Sequence, residues 1–305
     1  MNNKRRLFST LLCVAALTAG LFVSGCGSDK AGGIGSVVSS VVDGGSDEKA
    51  AAKLNTLIDA TNRFNGDNAT WGQNYADSLA KLKGGFQEGA IGRQPHYDTL
   101  KEALEQSKKE GSTFKEVDTE RDNVLNVLNE LVPTFKDLKA YDDSKAYMND
   151  GGAKGKELAA KYVAQVEKFD AAYAKFNDAL NKANTEQTKK QIEKLKKDGK
   201  KGYAAAMEST LRLTTLVENV EKSPKNADKQ AVEKELNEIQ TLLKSINNDR
   251  GEVLVNSYNS VVGSVRQVLT DANENNLNDM IENFNNYIES YNNTTPDQFD
   301  SKQSN

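Results

Sequence analysis

One long run of helical periodicity, from about Ala153 to Lys197, limits the fold more than any other feature of this chain. Its apolar residues recur at spacings of four and three, which is a heptad seam sustained over three repeats. The seam consists of Tyr162, Val166, Phe169, Tyr173, Phe176, Leu180 and Ala183. An unbroken helix of this length spans roughly 65 Å. Because an aromatic stripe of this kind usually packs against neighbouring helices, the seam predicts a helical bundle.

Helical spacing also recurs on both sides of this run, and the chain contains only four prolines. We predict that Gly66 and Asp67 end a first helix, that Pro133 kinks a later one, and that 141–152 forms a turn. Further helices are predicted over 46–65, 70–83, 113–138, 203–217, 232–246, 253–269 and 277–291, with a weaker one around 100–104. The predicted fold class is therefore all-α, an elongated antiparallel helical bundle.

The beginning of the chain has the pattern of a bacterial lipoprotein signal. Three basic residues at 4–6 precede an apolar run over 7–23, and the small residues Ser24 and Gly25 precede Cys26. This order predicts cleavage before Cys26 and attachment of a diacylglyceryl group to its thiol. Two alternatives stay open. One is an ordinary signal peptide with an incidental cysteine, and the other is an uncleaved anchor, since the apolar run is near the lower limit of about 17 residues for a spanning helix.

The predicted domain organisation follows from this signal. Residues 1–25 form the signal peptide, and residues 26–45, rich in Gly and Ser, form a lipidated and flexible tether. Residues 46–294 form one helical bundle domain, and the polar residues 295–305 form a disordered tail. We expect a membrane partner through the N-terminal lipid, with the domain outside the cytoplasm. In a Gram-negative host the outer membrane is favoured, because no aspartate follows Cys26.

Composition excludes several classes of function. Cleavage removes three of the 40 basic residues and leaves 44 acidic ones, so the mature net charge of −7 does not suit a nucleic-acid binder. Cys13 leaves with the signal and Cys26 carries lipid, which excludes disulfides, thiolate metal sites and cysteine nucleophiles. His96 is the only histidine and cannot form a multi-histidine metal site. We therefore expect no cofactor and no bound metal.

The sequence also lacks the motifs of common enzyme classes, namely a Gly-rich phosphate loop, a Gly-x-Ser-x-Gly elbow and a His-Glu-x-x-His pair. The favoured function is a membrane-anchored envelope lipoprotein that acts as a helical binding or structural module and is not an enzyme. An envelope enzyme that uses carboxylates in a cleft between helices is the alternative, because acidic residues are plentiful. A surface-exposed antigen is a third possibility.

A set of short segments resembles the YiiG-like bacterial lipoproteins, a family of uncharacterised function. The segments are Leu138-Lys139-Ala140-Tyr141, Lys145-Ala146-Tyr147, Asp150, Ala153-Lys154-Gly155-Lys156-Glu157-Leu158, Lys53-Leu54-Asn55-Thr56-Leu57-Ile58 and Phe284-Asn285-Asn286-Tyr287-Ile288. The resemblance covers nearly the whole mature chain. It implies a helical, envelope-anchored protein and carries no activity with it.

Two polar patterns are candidate sites. Asn55 and Asn62 in the first helix occupy the same positions in a local pattern as Asn285 and Asn292 in the last long helix. Asparagines seven residues apart lie on nearly the same helical face, so these pairs are predicted to form polar rungs that fix the register of paired helices. Contact with a ligand is one alternative. Chance is the other, because 273–293 is rich in asparagine.

The second candidate is a lysine cluster in an otherwise acidic chain: Lys189, Lys190, Lys194, Lys196, Lys197, Lys200 and Lys201. Near the C-terminus of a helix, such lysines complement the helix macrodipole and stay solvated. The functional alternative is a contact with anionic lipid headgroups or with an acidic envelope protein.

Overall fold

The computed structural model describes residues 46–92, 94–110 and 114–301 of the chain. Within these ranges there are ten helices and no strand, which confirms the all-α fold class. The helices are α1 (Ser46–Lys83), α2 (Tyr97–Lys109), α3 (Lys115–Asp143), α4 (Tyr147–Asp150), α5 (Ala153–Lys197), α6 (Lys201–Lys222), α7 (Lys229–Lys244), α8 (Asp249–Thr270), α9 (Glu274–Asn292) and α10 (Pro296–Phe299). The predicted signal peptide and tether lie outside the described residues. Among the helices described, none combines the length and the apolar character needed to cross a membrane.

The described chain divides into two compact units, which differs from the single bundle domain predicted over 46–294. The first unit covers Ser46–Ala183 and the second begins at Asn184. Each unit has an apolar core of its own, and residues of α5 contribute to both cores. The uniform helical periodicity of the sequence contains no signal for this division.

The core of the first unit is built around the seam of α5. Tyr162, Val166, Phe169, Phe176 and Leu180 are at most 2% exposed, which confirms the predicted packing of the seam. Aromatic rings from α1 and α2 meet it. The ring of Phe64 lies 5.8 Å from that of Phe169 and 5.3 Å from that of Tyr173, in edge contacts favoured by the ring quadrupoles.

Helix α1 is continuous, so the predicted break at Gly66 and Asp67 is wrong. A glycine inside a helix costs only about 1 kcal/mol relative to alanine. Both halves of α1 bury large side chains, including Ile58 and Phe64 before the glycine and Leu82 after it. The packing of these residues outweighs the local preference of glycine.

The predicted turn over 141–152 is partly helical, because α3 continues to Asp143 and α4 follows. Pro133 lies inside α3, as predicted. Asp150 then accepts hydrogen bonds from the backbone N–H groups of Gly152 at 2.9 Å and Lys154 at 3.1 Å, which satisfies donors at the start of α5.

Tyr141, Asp150 and Gly155, which belong to the segments that resemble the YiiG-like family, stabilise this turn. The hydroxyl of Tyr141 donates to Asp150, and the ring of Phe86 lies 5.2 Å from that of Tyr141. Gly155 approaches both rings so closely that an added Cβ would lie 2.5 Å from the ring of Phe86. Glycine is therefore required here for close packing.

The second unit combines the end of α5 with α6 to α10. Three of its helices begin at side-chain caps, because Asp228, Asn248 and Asn273 accept hydrogen bonds from the first free N–H groups of α7, α8 and α9. The core contains Tyr258 and Tyr287, which are at most 1% exposed. The predicted helix over 253–269 is confirmed as part of α8.

Within the described part of the predicted disordered tail over 295–305, residues 296–299 form helix α10, so the prediction of disorder is wrong there. Phe299 is 2% exposed, and its ring stacks on the rings of Tyr203 and Tyr291 with centroids 5.9 Å away in each case. A single buried aromatic side chain thus anchors a segment whose other residues, apart from Pro296, are polar.

Hydrogen bonds hold the same C-terminal segment, residues 296–301. The side-chain amide of Asn248 donates to the carbonyl groups of Gln298, Phe299 and Ser301 at 3.0–3.1 Å. The backbone N–H of Gly202 donates to Asp300 at 2.7 Å. The C-terminal segment is therefore an integral part of the second unit.

Candidate functional site

Four lysines of the predicted cluster share one exposed face at the C-terminal end of α5. Lys189, Lys190, Lys194 and Lys197 are all exposed, and we call them the lysine face. At 3.6 residues per turn they fall within an arc of about 140°. The buried residues Ile192 and Leu195 lie on the opposite side of the helix. The face therefore points away from the core of the second unit.

The other three lysines of the cluster are placed differently. The Nζ atom of Lys196 lies 2.9 Å from a carboxylate oxygen of Glu208 and 3.2 Å from one of Glu193. The Nζ atom of Lys200 lies 2.7 Å from a carboxylate oxygen of Asp297. The hydrogen bond to Glu208 raises the pKa of Lys196, and the one to Asp297 raises the pKa of Lys200. Lys201 is exposed at the first position of α6. Lys196 and Lys200 therefore contribute to the fold of the unit.

In the part of the chain that the structure describes, no carboxylate lies within ion-pairing distance of the lysine face. Two arginines that link helices of the second unit are, in contrast, paired with carboxylates. Arg212 binds Glu235 through two hydrogen bonds of 2.6 and 2.8 Å, and Arg266 binds Glu233 through two of 2.8 and 2.7 Å. In the second unit these two arginines are therefore paired with carboxylates, whereas the four ammonium groups of the lysine face are left to solvent.

Two shallow depressions adjoin the lysine face. One, of about 490 Å³, is lined by Lys189, Lys190, Glu193, Lys194, Lys197 and Asp198. The other, of about 450 Å³, lies between α5 and α6 and is lined by Lys189, Ile192, Glu193, Lys196, Glu208, Leu211 and Arg212. The second contains two carboxylates, but both pair with the ammonium of Lys196. Chemically, this surface is suited to binding anions.

The two asparagine pairs are not brought together within one unit. Asn55 and Asn62 belong to α1 in the first unit, whereas Asn285 and Asn292 belong to α9 in the second. Asn285 is exposed, and Asn55 and Asn292 are partly buried. The side-chain oxygen of Asn62 is buried without a hydrogen-bond partner among the described residues.

A different asparagine links helices in the first unit. Asn65 is 4% exposed and accepts a hydrogen bond of 2.9 Å from the hydroxyl of Tyr173 on α5. Sequence reasoning missed this pair, although Asn65 lies one helical turn after Asn62 and Tyr173 belongs to the predicted seam. The partners are far apart in the chain, and no local pattern connects them.

Sequence reasoning also missed a buried cluster of tyrosines. The hydroxyl groups of Tyr75 and Tyr97 lie 2.8 Å apart, and the hydroxyl of Tyr162 donates to the side-chain oxygen of Gln94. Burial raises the pKa of Tyr97 and Tyr162 far above the usual range. These hydroxyl groups therefore stay protonated and act as neutral donors and acceptors inside the first unit.

One partly buried carboxyl in each unit has a pKa near neutrality. Burial raises the pKa of Asp170 to about 6, against an opposing effect of Lys83. Burial also raises the pKa of Glu221 to about 7, and the nearby charge of Glu218 adds to the shift. Groups of this kind mark functional sites in some proteins. Neither residue lines the two depressions described above.

Among the described residues, no three His, Cys, Asp or Glu side chains are grouped so that they could hold a metal ion. Cys26, the predicted lipidation site, lies outside these residues. The prediction that its thiol carries lipid therefore rests on the sequence.

The helical part of the chain matches a known protein family. Residues 48–303 match the family described as "Protein of unknown function (DUF3829)", and the chain belongs to this family. No curated protein and no solved structure matches the chain.

Proposed function

We propose that this member of the DUF3829 family is a lipid-anchored protein of the bacterial envelope whose helical part acts as a binding or structural module. The observation that carries the proposal is the position of Cys26, directly after a basic start, an apolar run and two small residues. The family match begins at residue 48, just beyond the predicted tether. The anchor and the helical part are thus separate segments of the chain, as a tethered module requires.

The likeness to YiiG-like lipoproteins supports the same proposal. It includes Tyr141, Asp150 and Gly155, which together build the turn before α5. In this proposal the helical part lies outside the cytoplasm. In a Gram-negative host it is held at the outer membrane, since Gly27 rather than an aspartate follows Cys26.

The module is proposed to act by binding rather than by catalysis. The mature sequence offers one histidine and no thiol apart from the lipid acceptor. In the depression between α5 and α6, Glu193 and Glu208 are both paired with Lys196, so neither is a free carboxylate. The exposed ammonium groups beside them favour an anionic partner, either lipid headgroups or an acidic envelope protein.

Metabolic labelling with a clickable fatty acid tests the anchor. The full chain and its variants Cys26→Ala and Cys13→Ala are expressed in a bacterium, and the membranes are separated from the soluble fraction. Cys13→Ala is the matched control, because it removes the other cysteine of the chain. We expect label and membrane association in the parent and in Cys13→Ala, and no label in Cys26→Ala. An unlabelled parent, or a mature N-terminus other than a modified Cys26 by mass spectrometry, would refute the proposal.

A further inference from the structure

We infer that the lysine face of α5 docks on the anionic phospholipid surface of the membrane that holds the chain. This inference rests on the proposed lipid anchor, which keeps the helical part close to a bilayer. It deepens that proposal by assigning the binding surface and its partner: Lys189, Lys190, Lys194 and Lys197 would contact phosphate groups of the lipid headgroups.

Charge is distributed unevenly in the second unit. Residues 189–201 contain seven lysines and two acidic residues, a net charge of +5. Residues 202–301 contain eight basic and sixteen acidic residues, a net charge of −8. An anionic bilayer attracts the short basic stretch and repels the remainder. The unit therefore has an electrostatically preferred orientation at such a surface.

Among the described residues, no carboxylate competes with lipid for these four ammonium groups. Lys196 and Lys200 are already bound to Glu208 and Asp297. The lysine face is exposed and lies outside ion-pairing distance of every carboxylate that the structure describes. Binding to lipid phosphates would therefore break no ion pair within the unit.

The shape of the lysine face suits an extended partner. The depression along the lysine face is lined only by residues of α5 and by Asp198, which directly follows that helix. One side of a single helix offers an open row of flexible cations over a shallow depression, without walls from a second helix. Such a surface cannot bury a small anion, but it can lie against an extended anionic plane.

The expected size of the effect follows from general membrane electrostatics. Each lysine near an anionic surface strengthens binding by about fivefold, and the attraction decays within a Debye length of about 10 Å at 0.1 M salt. Four lysines acting together correspond to an effect on the order of 100-fold or more. High salt should remove most of it.

Amine footprinting tests the contact directly. The acylated full chain is reconstituted into vesicles of phosphatidylcholine alone or of phosphatidylcholine with phosphatidylglycerol, and exposed lysines are acetylated and quantified by mass spectrometry. We expect the lysine face to react several-fold more slowly in phosphatidylglycerol vesicles, with recovery at high salt. Lys222, Lys225, Lys229 and Lys244, which are exposed elsewhere on the second unit, are the reference set.

Equal reactivity of the lysine face in both vesicle types would overturn the inference, and so would equal protection of the reference set. Protection in whole envelopes but not in the vesicles would also overturn it, in favour of an acidic protein partner. The intact mass of the same sample reports whether Cys26 carries lipid. An acylated chain without protection refutes only the docking, whereas an unacylated chain refutes the anchor.

A matched pair of variants provides an independent test. The mature chain from Cys26 onward, produced without lipid, is sedimented with phosphatidylglycerol vesicles. Changing the four lysines of the lysine face to glutamine should weaken binding on the order of 100-fold. The same change at the four reference lysines removes equal charge and should leave binding within a few-fold. Equal losses in the two variants would show that net charge alone matters and would refute a defined face. Circular dichroism checks that both variants are folded.

Discussion

The substitution Phe299→Ala should selectively destabilise the second unit. Phe299 is 2% exposed and stacks on Tyr203 and Tyr291, which come from α6 and α9. Removing its ring leaves two tyrosine faces uncovered and takes away the apolar anchor of the C-terminal segment. The polar contacts of the same segment then have to hold it without the ring, namely the hydrogen bonds from Asn248 and Gly202 and the ion pair between Lys200 and Asp297.

The magnitude follows from burial. Replacing a buried phenylalanine by alanine costs about 3–5 kcal/mol, and each aromatic pair adds about 0.5–1.5 kcal/mol beyond the buried area. We take the lower end of this range, because the polar contacts of the segment remain in the variant. We therefore expect the free energy of unfolding of the second unit to fall by about 3 kcal/mol. With a urea dependence of about 2 kcal/mol per M, its midpoint should fall by about 1.5 M.

Hydrogen exchange at increasing urea concentration, read by mass spectrometry, resolves the two units. Peptides from α6 and α9 report on the second unit, and peptides from α3 serve as an internal reference in the first. Asp297→Asn is the matched control in the same segment, because it removes only an exposed ion pair with Lys200 and should cost less than about 1 kcal/mol. A loss below 1 kcal/mol for Phe299→Ala, or an equal shift in α3, would refute the assigned role.

Two further predictions concern the first unit. Because the pKa of Asp170 is raised to about 6, its carboxyl holds its proton more tightly in the folded than in the unfolded chain, and the free energy of unfolding falls as pH rises from about 4 to 6. In urea titrations, Asp170→Asn should remove this loss and stabilise the protein by about 1–3 kcal/mol at pH 7.5, but by less at pH 4.5. Asp178→Asn, at an exposed position, is the control. An equal gain at both pH values, or a gain in the control, would contradict burial of Asp170 as the cause. Gly155→Ala should destabilise the first unit by about 2 kcal/mol or more, because the new Cβ would lie 2.5 Å from the ring of Phe86. Gly66→Ala, where the added Cβ meets nothing within 4 Å, should be neutral or stabilising. Thermal melts of the two variants compare them, and equal losses of stability would count against steric contact at Gly155.

Predictions from the sequence succeeded where a helix carries a long apolar stripe. The bounds of α5 and the burial of its seam follow from periodicity alone, because side chains on one helical face must find a common core. They failed where packing overrides a local signal. Gly66 lies within a continuous helix, and Phe299 orders a polar tail, because contacts with distant residues decide both outcomes.

For the candidate site, too, the sequence did not reveal contacts between residues that are distant in the chain. The sequence located the lysine cluster but could not separate its free members from the paired ones. The partners of Lys196 and Lys200 include Glu208 and Asp297, which meet them only in the folded unit. Likewise, the asparagine pattern repeats in two helices that belong to different units, and the sequence alone did not show this. Local spacing does not encode which helices become neighbours.

The stacking of Phe299 on the second unit has a consequence for biosynthesis. A chain is made from its N-terminus, and N-terminal parts generally fold first. All residues of the first unit are available once residue 183 has emerged, whereas the ring faces of Tyr203 and Tyr291 are covered only after Phe299 has emerged. A premature stop or frameshift just before codon 299 would therefore damage the second unit and spare the first.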